Sequence, residues 1–386
     1  MSVSQSQAAE PGASAQPGER NLARWGIALI FIMGLHHGIL WLMVMARTGT
    51  PFSTLLNHWD AGWYTLIATS GYTPQAMAYY PLYPVVVKVL GLAASSIGLS
   101  IPLSIIGFAL STMLALGLFA LVLGLVRRGE SAASGLVPAS TLGFFFFVYA
   151  PGSYVFHSHH TESLFIILVF GALLSAHRKR FVHAAVLAGL AALTRNQGVL
   201  LALAIGIAAL MSRTTDGRSL PLKQRVATFA KIGLISGSIY ALYPAWLWYH
   251  HGDPLGFASA KVYWTHASDV ASYFRTFWLG NPGQTASSGS LLRHFLFWAS
   301  VAGTVLAFQR KSFAPALYCA LSLALIPVQS EFAGVVRYNV ALFPALFALG
   351  DWTAQRPLAI RVVVVIFLIW FNHMVTRNYA LARWAY

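Results

Sequence analysis

The chain is nearly without acid: ten aspartates and glutamates stand among 386 residues, against 25 lysines and arginines, and charged residues total only 9%. That scarcity excludes a soluble domain, whose surface depends on charge. Hydrophobic residues reach 57% and the mean hydropathy is strongly positive, which places the chain among polytopic α-helical membrane proteins. Cysteine is almost missing as well. Cys319 stands alone inside an apolar run, so a disulfide framework and a cysteine-based metal site are both excluded, and redox chemistry with them. Long charged surfaces are also absent. The net charge of +15 is confined to short segments between hydrophobic runs, at Arg20 and Arg24, Arg127-Arg128, residues 177–180, 213–225, 309–311 and 356–361. This is the pattern of the positive-inside rule and not of a nucleic-acid surface.

What is present are hydrophobic runs. Residues 1–24 are small, polar and rich in Pro and Gly, without the basic n-region and apolar core of a signal peptide, and are expected to form a disordered cytoplasmic tail. Residues 25–386 then read as one transmembrane domain of about eleven spans, at roughly 20 residues per crossing. The expected spans are 25–45, 101–126, 134–150, 162–177, 182–194, 198–212, 228–250, 291–308, 312–329, 336–350 and 359–375. Residues 79–93 are expected as an amphipathic surface helix, because a twelfth crossing there would put Arg127-Arg128 on the wrong side. The spans 182–194 and 198–212 are too short to cross alone. The polar break between them, Thr194-Arg195-Asn196-Gln197-Gly198, is tolerable only inside protein or beside water. The run Phe144, Phe145, Phe146 and Phe147 reads as lipid-facing packing.

This topology puts the unusual polar clusters on the extracytoplasmic side. They are the segment around Asp60 in the first loop (46–100), Tyr79 to Pro84, Ser153 to Ser163, the Arg195 break, the second long loop (251–290), and Glu331 to Tyr338. A retained carboxylate beside a bilayer is costly, so Asp60 is the first candidate for chemistry. Convergence of such loops on one face suits an enzyme acting on a lipid-linked substrate. A transporter or flippase of a lipid-linked glycan is the alternative. It would show paired inverted repeats or charges within the bilayer, and neither is evident. A non-catalytic subunit of a glycosylation complex is a third possibility.

Trp59-Asp60-Ala61-Gly62-Trp63-Tyr64, Gly71-Tyr72 and Tyr79-Tyr80-Pro81-Leu82-Tyr83-Pro84 resemble the signature of the PIG-V-type mannosyltransferases. The resemblance continues, in family order, through Thr161-Glu162-Ser163-Leu164-Phe165, Gly189 to Arg195, and Arg337-Tyr338 ahead of Phe343-Pro344. It implies a GT-C-like bundle with an extracytoplasmic first loop carrying surface helices. It also implies an inverting transfer of a hexose, mannose by family default, from a polyprenyl-phosphate donor to a lipid or glycan hydroxyl. The family places its catalytic carboxylate on the first extracytoplasmic loop, where Asp60 lies.

Such a transfer needs one carboxylate to accept the hydroxyl proton, and phosphate leaves readily without a strong acid. Asp60 is the expected general base. Arg195 and Arg337 are the expected phosphate contacts, with Lys88 and Arg47 as weaker candidates. Trp59, Trp63, Tyr64, Tyr79 and Tyr80 would face the sugar or the prenyl chain, or belong to the aromatic belt. Glu162, Asn196 and Tyr338 complete the expected substrate contacts. Each has a structural alternative: Asp60 as N-cap of a helix from Ala61, Glu162 as a helix-start residue or a partner of Arg195, and Arg337 as a partner of Glu331. Asp253 before Pro254 is expected to form a turn. His157, His159 and His160 form a run compatible with a metal, against a reading as packing residues. No cofactor is called for beyond the donor. A divalent cation is left open, the pair Asp60 and Glu162 being thin for a dedicated site. The scarcity of cysteine and the short loops fit a bacterial inner membrane.

Overall fold

The computed structural model describes residues 17–211, 220–263, 288–329 and 334–383, and among them every regular element is helical. The helices are α1 (Pro17–Thr48), α2 (Phe52–Leu55), α3 (Asp60–Ser70), α4 (Leu82–Ser96), α5 (Leu103–Arg127), α6 (Thr141–Val148), α7 (Glu162–His177) and α8 (Phe181–Ala192). They continue with α9 (Gln197–Leu210), α10 (Leu222–His251), α11 (Gly256–Ser259), α12 (Ser288–Gln309), α13 (Phe313–Gln329), α14 (Val335–Ala341), α15 (Phe343–Ala354) and α16 (Leu358–Ala380). Five of them, α1, α5, α10, α12 and α16, are long and apolar enough to cross a bilayer. Only 17% to 39% of their most apolar stretches is buried, so these helices offer most of that surface to lipid. The chain is an all-α integral membrane protein.

The shorter apolar helices lie further inside. At 12 and 14 residues, α8 and α9 reach roughly 18–21 Å, less than a hydrocarbon core of about 30 Å. They share the crossing with the break between them, whose Thr194 and Gln197 are buried. Gly198 makes that break possible: a Cβ there would stand 2.1 Å from the Ala192 nitrogen, so only hydrogen fits.

Two expected spans are divided. Residues 134–150 contain only the eight-residue α6, preceded by an irregular stretch that Asp351 holds. The amides of Ala139 and Ser140 donate to Asp351 at 2.7 and 2.8 Å, the Ser140 hydroxyl donates at 2.5 Å, and Arg310 pairs with it at 2.7 Å. Residues 336–350 break at Leu342, between α14 and α15. Phe144, Phe145, Phe146 and Phe147 are buried and not lipid-facing, because α1 and α15 cover α6. Phe147 meets Phe119, Phe156 and Phe347 edge-on. The tail reading is shortened, since α1 begins at Pro17.

Asp351→Ala is expected to destabilise the protein by about 2 kcal/mol, by leaving buried amides without an acceptor. The thermal midpoint, followed by tryptophan fluorescence, should fall while substrate affinity is retained.

Candidate functional site

Asp60 opens α3, and the residue before it, Trp59, has φ 56, a backbone region that costs a bulky residue about 1–3 kcal/mol. Asp60 is therefore not the N-cap. That position falls to Trp59, which makes no side-chain capping bond. The Asp60 carboxylate instead reaches across the molecule: Arg337 Nη1 lies 2.7 Å from Oδ2, and the Tyr79 hydroxyl donates to Oδ1 at 3.1 Å. A charge-assisted bond to a guanidinium outweighs a cap at an exposed helix end.

Glu162, the first residue of α7, is buried beneath two arginines. Its Oε1 lies 2.6 Å from Arg195 Nη1 and 3.6 Å from Arg337 Nη1. Arg195 also donates to the Thr161 hydroxyl at 3.0 Å, and its guanidinium sits 4.9 Å from the centre of the Tyr338 ring. The break between α8 and α9 thus delivers Arg195, while α14 delivers Arg337 and Tyr338. Behind α14 lies Gly152, where a Cβ would stand 2.2 Å from the Val336 carbonyl oxygen and 3.1 Å from Arg337 Cα.

These groups border a cavity of about 410 Å³, lined by Asp60, Tyr64, Tyr79, Tyr80, Thr161, Arg195, Asn196, Tyr240, Phe257, Arg337 and Tyr338, among others. Trp59 and Trp63 are not in the lining; Trp59 is exposed and Trp63 stacks behind Tyr79 at 5.9 Å. Glu162 stands under the floor. Lys88 lines a separate apolar groove with Tyr72 and Trp246, and Arg47 is exposed away from the cavity. Tyr240 and Phe257 were not foreseen. Nothing in their local sequence marks them, because it is the packing of α10 and α11 that brings them to the cavity.

Burial alone would raise the Asp60 pKa, but the guanidinium of Arg337, followed by His160 and Arg195, holds it below the usual carboxylate range. At neutral pH His160 itself is uncharged, so the arginines carry this effect. Burial pushes His157 and His160 down to about 4 and His159 to about 3, the last with help from His160. The three histidines diverge instead of converging on a metal. His157 bonds His37, His159 meets Tyr83 at 2.9 Å and Thr65 at 3.3 Å, and His160 meets Ser158 at 2.9 Å. Among the described residues no group of three or more His, Cys, Asp or Glu is arranged to hold a metal ion.

Asp253 forms the expected turn, accepting from the Leu255 amide at 2.9 Å and the Ser259 hydroxyl at 3.0 Å. This turn leads into α11, whose Phe257 and Ala258 close one side of the cavity. Trp264 and the remainder of the loop to 287 lie outside the described residues, as does Glu331.

Comparison with known proteins gives a match to the model of the mannosyltransferase (PIG-V) family over residues 43–242, which takes in Asp60, Tyr79, Glu162 and Arg195. No curated protein sequence matches. Among solved structures, the chain is similar to the archaeal oligosaccharyltransferase AglB from Archaeoglobus fulgidus in complex with an inhibitory peptide and a dolichol-phosphate. The identity is 12% and the TM-score 0.47, over 92% of this chain and 56% of that one. A second structure, the Archaeoglobus fulgidus oligosaccharyltransferase tethered to an acceptor peptide, is 11% identical with a TM-score of 0.44, over 94% of this chain and 55% of that one. The chain spans about half the length of these structures.

Proposed function

The chain belongs to the mannosyltransferase (PIG-V) family, and on that premise we propose that it transfers a hexose, most simply mannose, from a polyprenyl-phosphate donor to a hydroxyl of a lipid or glycan acceptor. The observation that carries this reading is the meeting of one accessible carboxylate and two guanidinium groups at a single cavity. In this scheme the donor phosphate lies against Arg195 and Arg337, whose planar donor forks match phosphate oxygens. The sugar rests against Tyr80 and Tyr240. Asp60 takes the proton of the acceptor hydroxyl as its oxygen attacks the anomeric carbon from the face opposite the phosphate, which inverts that carbon. Polyprenyl phosphate departs with the bonding electron pair. The positive-inside pattern supports an extracytoplasmic cavity in a plasma membrane.

The test is to offer purified protein in lipid a radiolabelled polyprenyl-phosphate mannose with a membrane lipid extract. Label recovered in a new glycosidic bond supports the reading. Label that crosses the bilayer without a new bond would instead identify a transporter. Within the same assay, Arg195→Lys is expected to raise the donor KM by about tenfold, because an ammonium keeps the charge but loses the bidentate geometry.

A further inference from the structure

Both oxygens of Asp60 are occupied, by Arg337 on Oδ2 and by Tyr79 on Oδ1. A carboxylate gripped by a guanidinium is a poor base, so Arg337 must loosen before Oδ2 can take a proton. Arg337 has somewhere to go. It lines the same cavity as Arg195 and already lies 3.6 Å from Glu162, so a phosphate arriving between the two arginines offers it another anion. Tyr79 is fastened differently. Its ring stacks on Trp63 at 5.9 Å and meets Tyr64 edge-on at 5.5 Å. Its carbonyl oxygen receives the hydroxyls of Tyr72 and Tyr243, each at 3.1 Å.

Resting on the glycosyltransferase reading above, we infer that Tyr79 is a positioning residue, whose hydroxyl keeps Asp60 aimed at the acceptor while Arg337 turns from Oδ2 to the donor phosphate. The base is thereby uncovered only when the donor is in place. The acceptor O–H proton then passes to Oδ2, the acceptor oxygen bonds to the anomeric carbon, and the bond from that carbon to the phosphate oxygen breaks with its electron pair on the phosphate. The charged and titratable groups facing Asp60 during this step are Arg337 from α14, Arg195 from the α8–α9 break, and His160 and Glu162 at the start of α7. Tyr64, Tyr79, Tyr154 and, from α16, Tyr379 also interact with it.

The experiment is the pH dependence of kcat for Tyr79→Phe, which keeps the ring and deletes the donor. Losing a hydrogen bond to the ionised form raises the pKa of the base, so the acid limb should move up by about one pH unit. The value of kcat should fall about tenfold with an unchanged donor KM and an unchanged thermal midpoint. A residue that only packed would alter the midpoint and leave the acid limb where it was, and that result would overturn the inference. If Tyr79→Phe folds poorly, 3-fluorotyrosine at position 79, a stronger donor of the same shape, should move the limb downwards; an unmoved limb sinks the idea. Absence of transfer by the wild-type protein would instead strike the glycosyltransferase reading itself.

Discussion

Asp60→Asn is expected to leave the protein folded and membrane-inserted while lowering sugar transfer by about a thousandfold, the scale of losing a positioned general base. An amide of the same shape fills the place of the carboxylate between Arg337 and Tyr79, so the packing of α3 against α14 is kept although the ion pair is lost. What disappears is a group able to carry a proton. The donor KM should change little, because in the proposed scheme the phosphate lies against Arg195 and Arg337. Normal transfer by this variant, measured with the labelled donor, would reject Asp60 as the base. The same substitution should reduce sensitivity to acid. The folded-state pKa of Asp60 is depressed, so its ion pair contributes stability above the unfolded-state pKa, and that contribution is lost as pH falls through the folded-state value. The asparagine variant has no such term to lose, and its midpoint should vary less with pH over that acidic range.

Glu162→Ala carries the largest expected effect on stability. Glu162 is buried and takes Arg195 at 2.6 Å, with Arg337 at 3.6 Å. Removing it leaves the Arg195 guanidinium at the cavity wall without its carboxylate, and breaking a buried pair from one side costs about 3–5 kcal/mol. Arg195 would also lose the anchor that keeps it at the break between α8 and α9. The thermal midpoint should drop well below that of Asp351→Ala, and transfer should fall with it. Glu162→Gln, which retains shape and a neutral acceptor, should recover part of the stability. If Glu162→Ala melted like the wild type, the buried pair would be energetically idle, contrary to this account.

Much of the site was legible in the sequence because acid is so rare there. With ten acidic residues in the chain, Asp60 stood out by cost, Glu162 by its place in a polar cluster that the family resemblance covers, and Arg195 by a polar break that a bilayer does not tolerate. Only part of their pairing was legible: Arg195 meets Glu162, the partner its position allowed, while the partner of Arg337 was not foreseen. Arg337, expected as a phosphate contact with nearby Glu331 as its structural alternative, also meets Asp60, far away in the sequence. That contact depends on how α3 and α14 are packed, which no local periodicity encodes. Hydropathy likewise could not tell a lipid-facing phenylalanine from a buried one, since hydrocarbon and protein interior are equally apolar. Residues 144–147 were misplaced for that reason. The division of 134–150 depended on Asp351, more than 200 residues downstream of the amides it accepts. Tyr79 was visible only as an aromatic; its hydroxyl acquired meaning once Asp60 was found beside it.

Gly152 contributes no side chain to the cavity, yet it closes one direction of motion behind it. With the Val336 carbonyl and Arg337 Cα pressed against it, the backbone of α14 has no room to retreat towards Gly152, and travel of the guanidinium in that direction is left to rotation about its own side-chain bonds. The distance such a rotation can cover is bounded by the reach of one arginine. If Arg337 turns to the donor as inferred, the stroke is therefore the swing of one side chain beside a helix that Gly152 backs on one side.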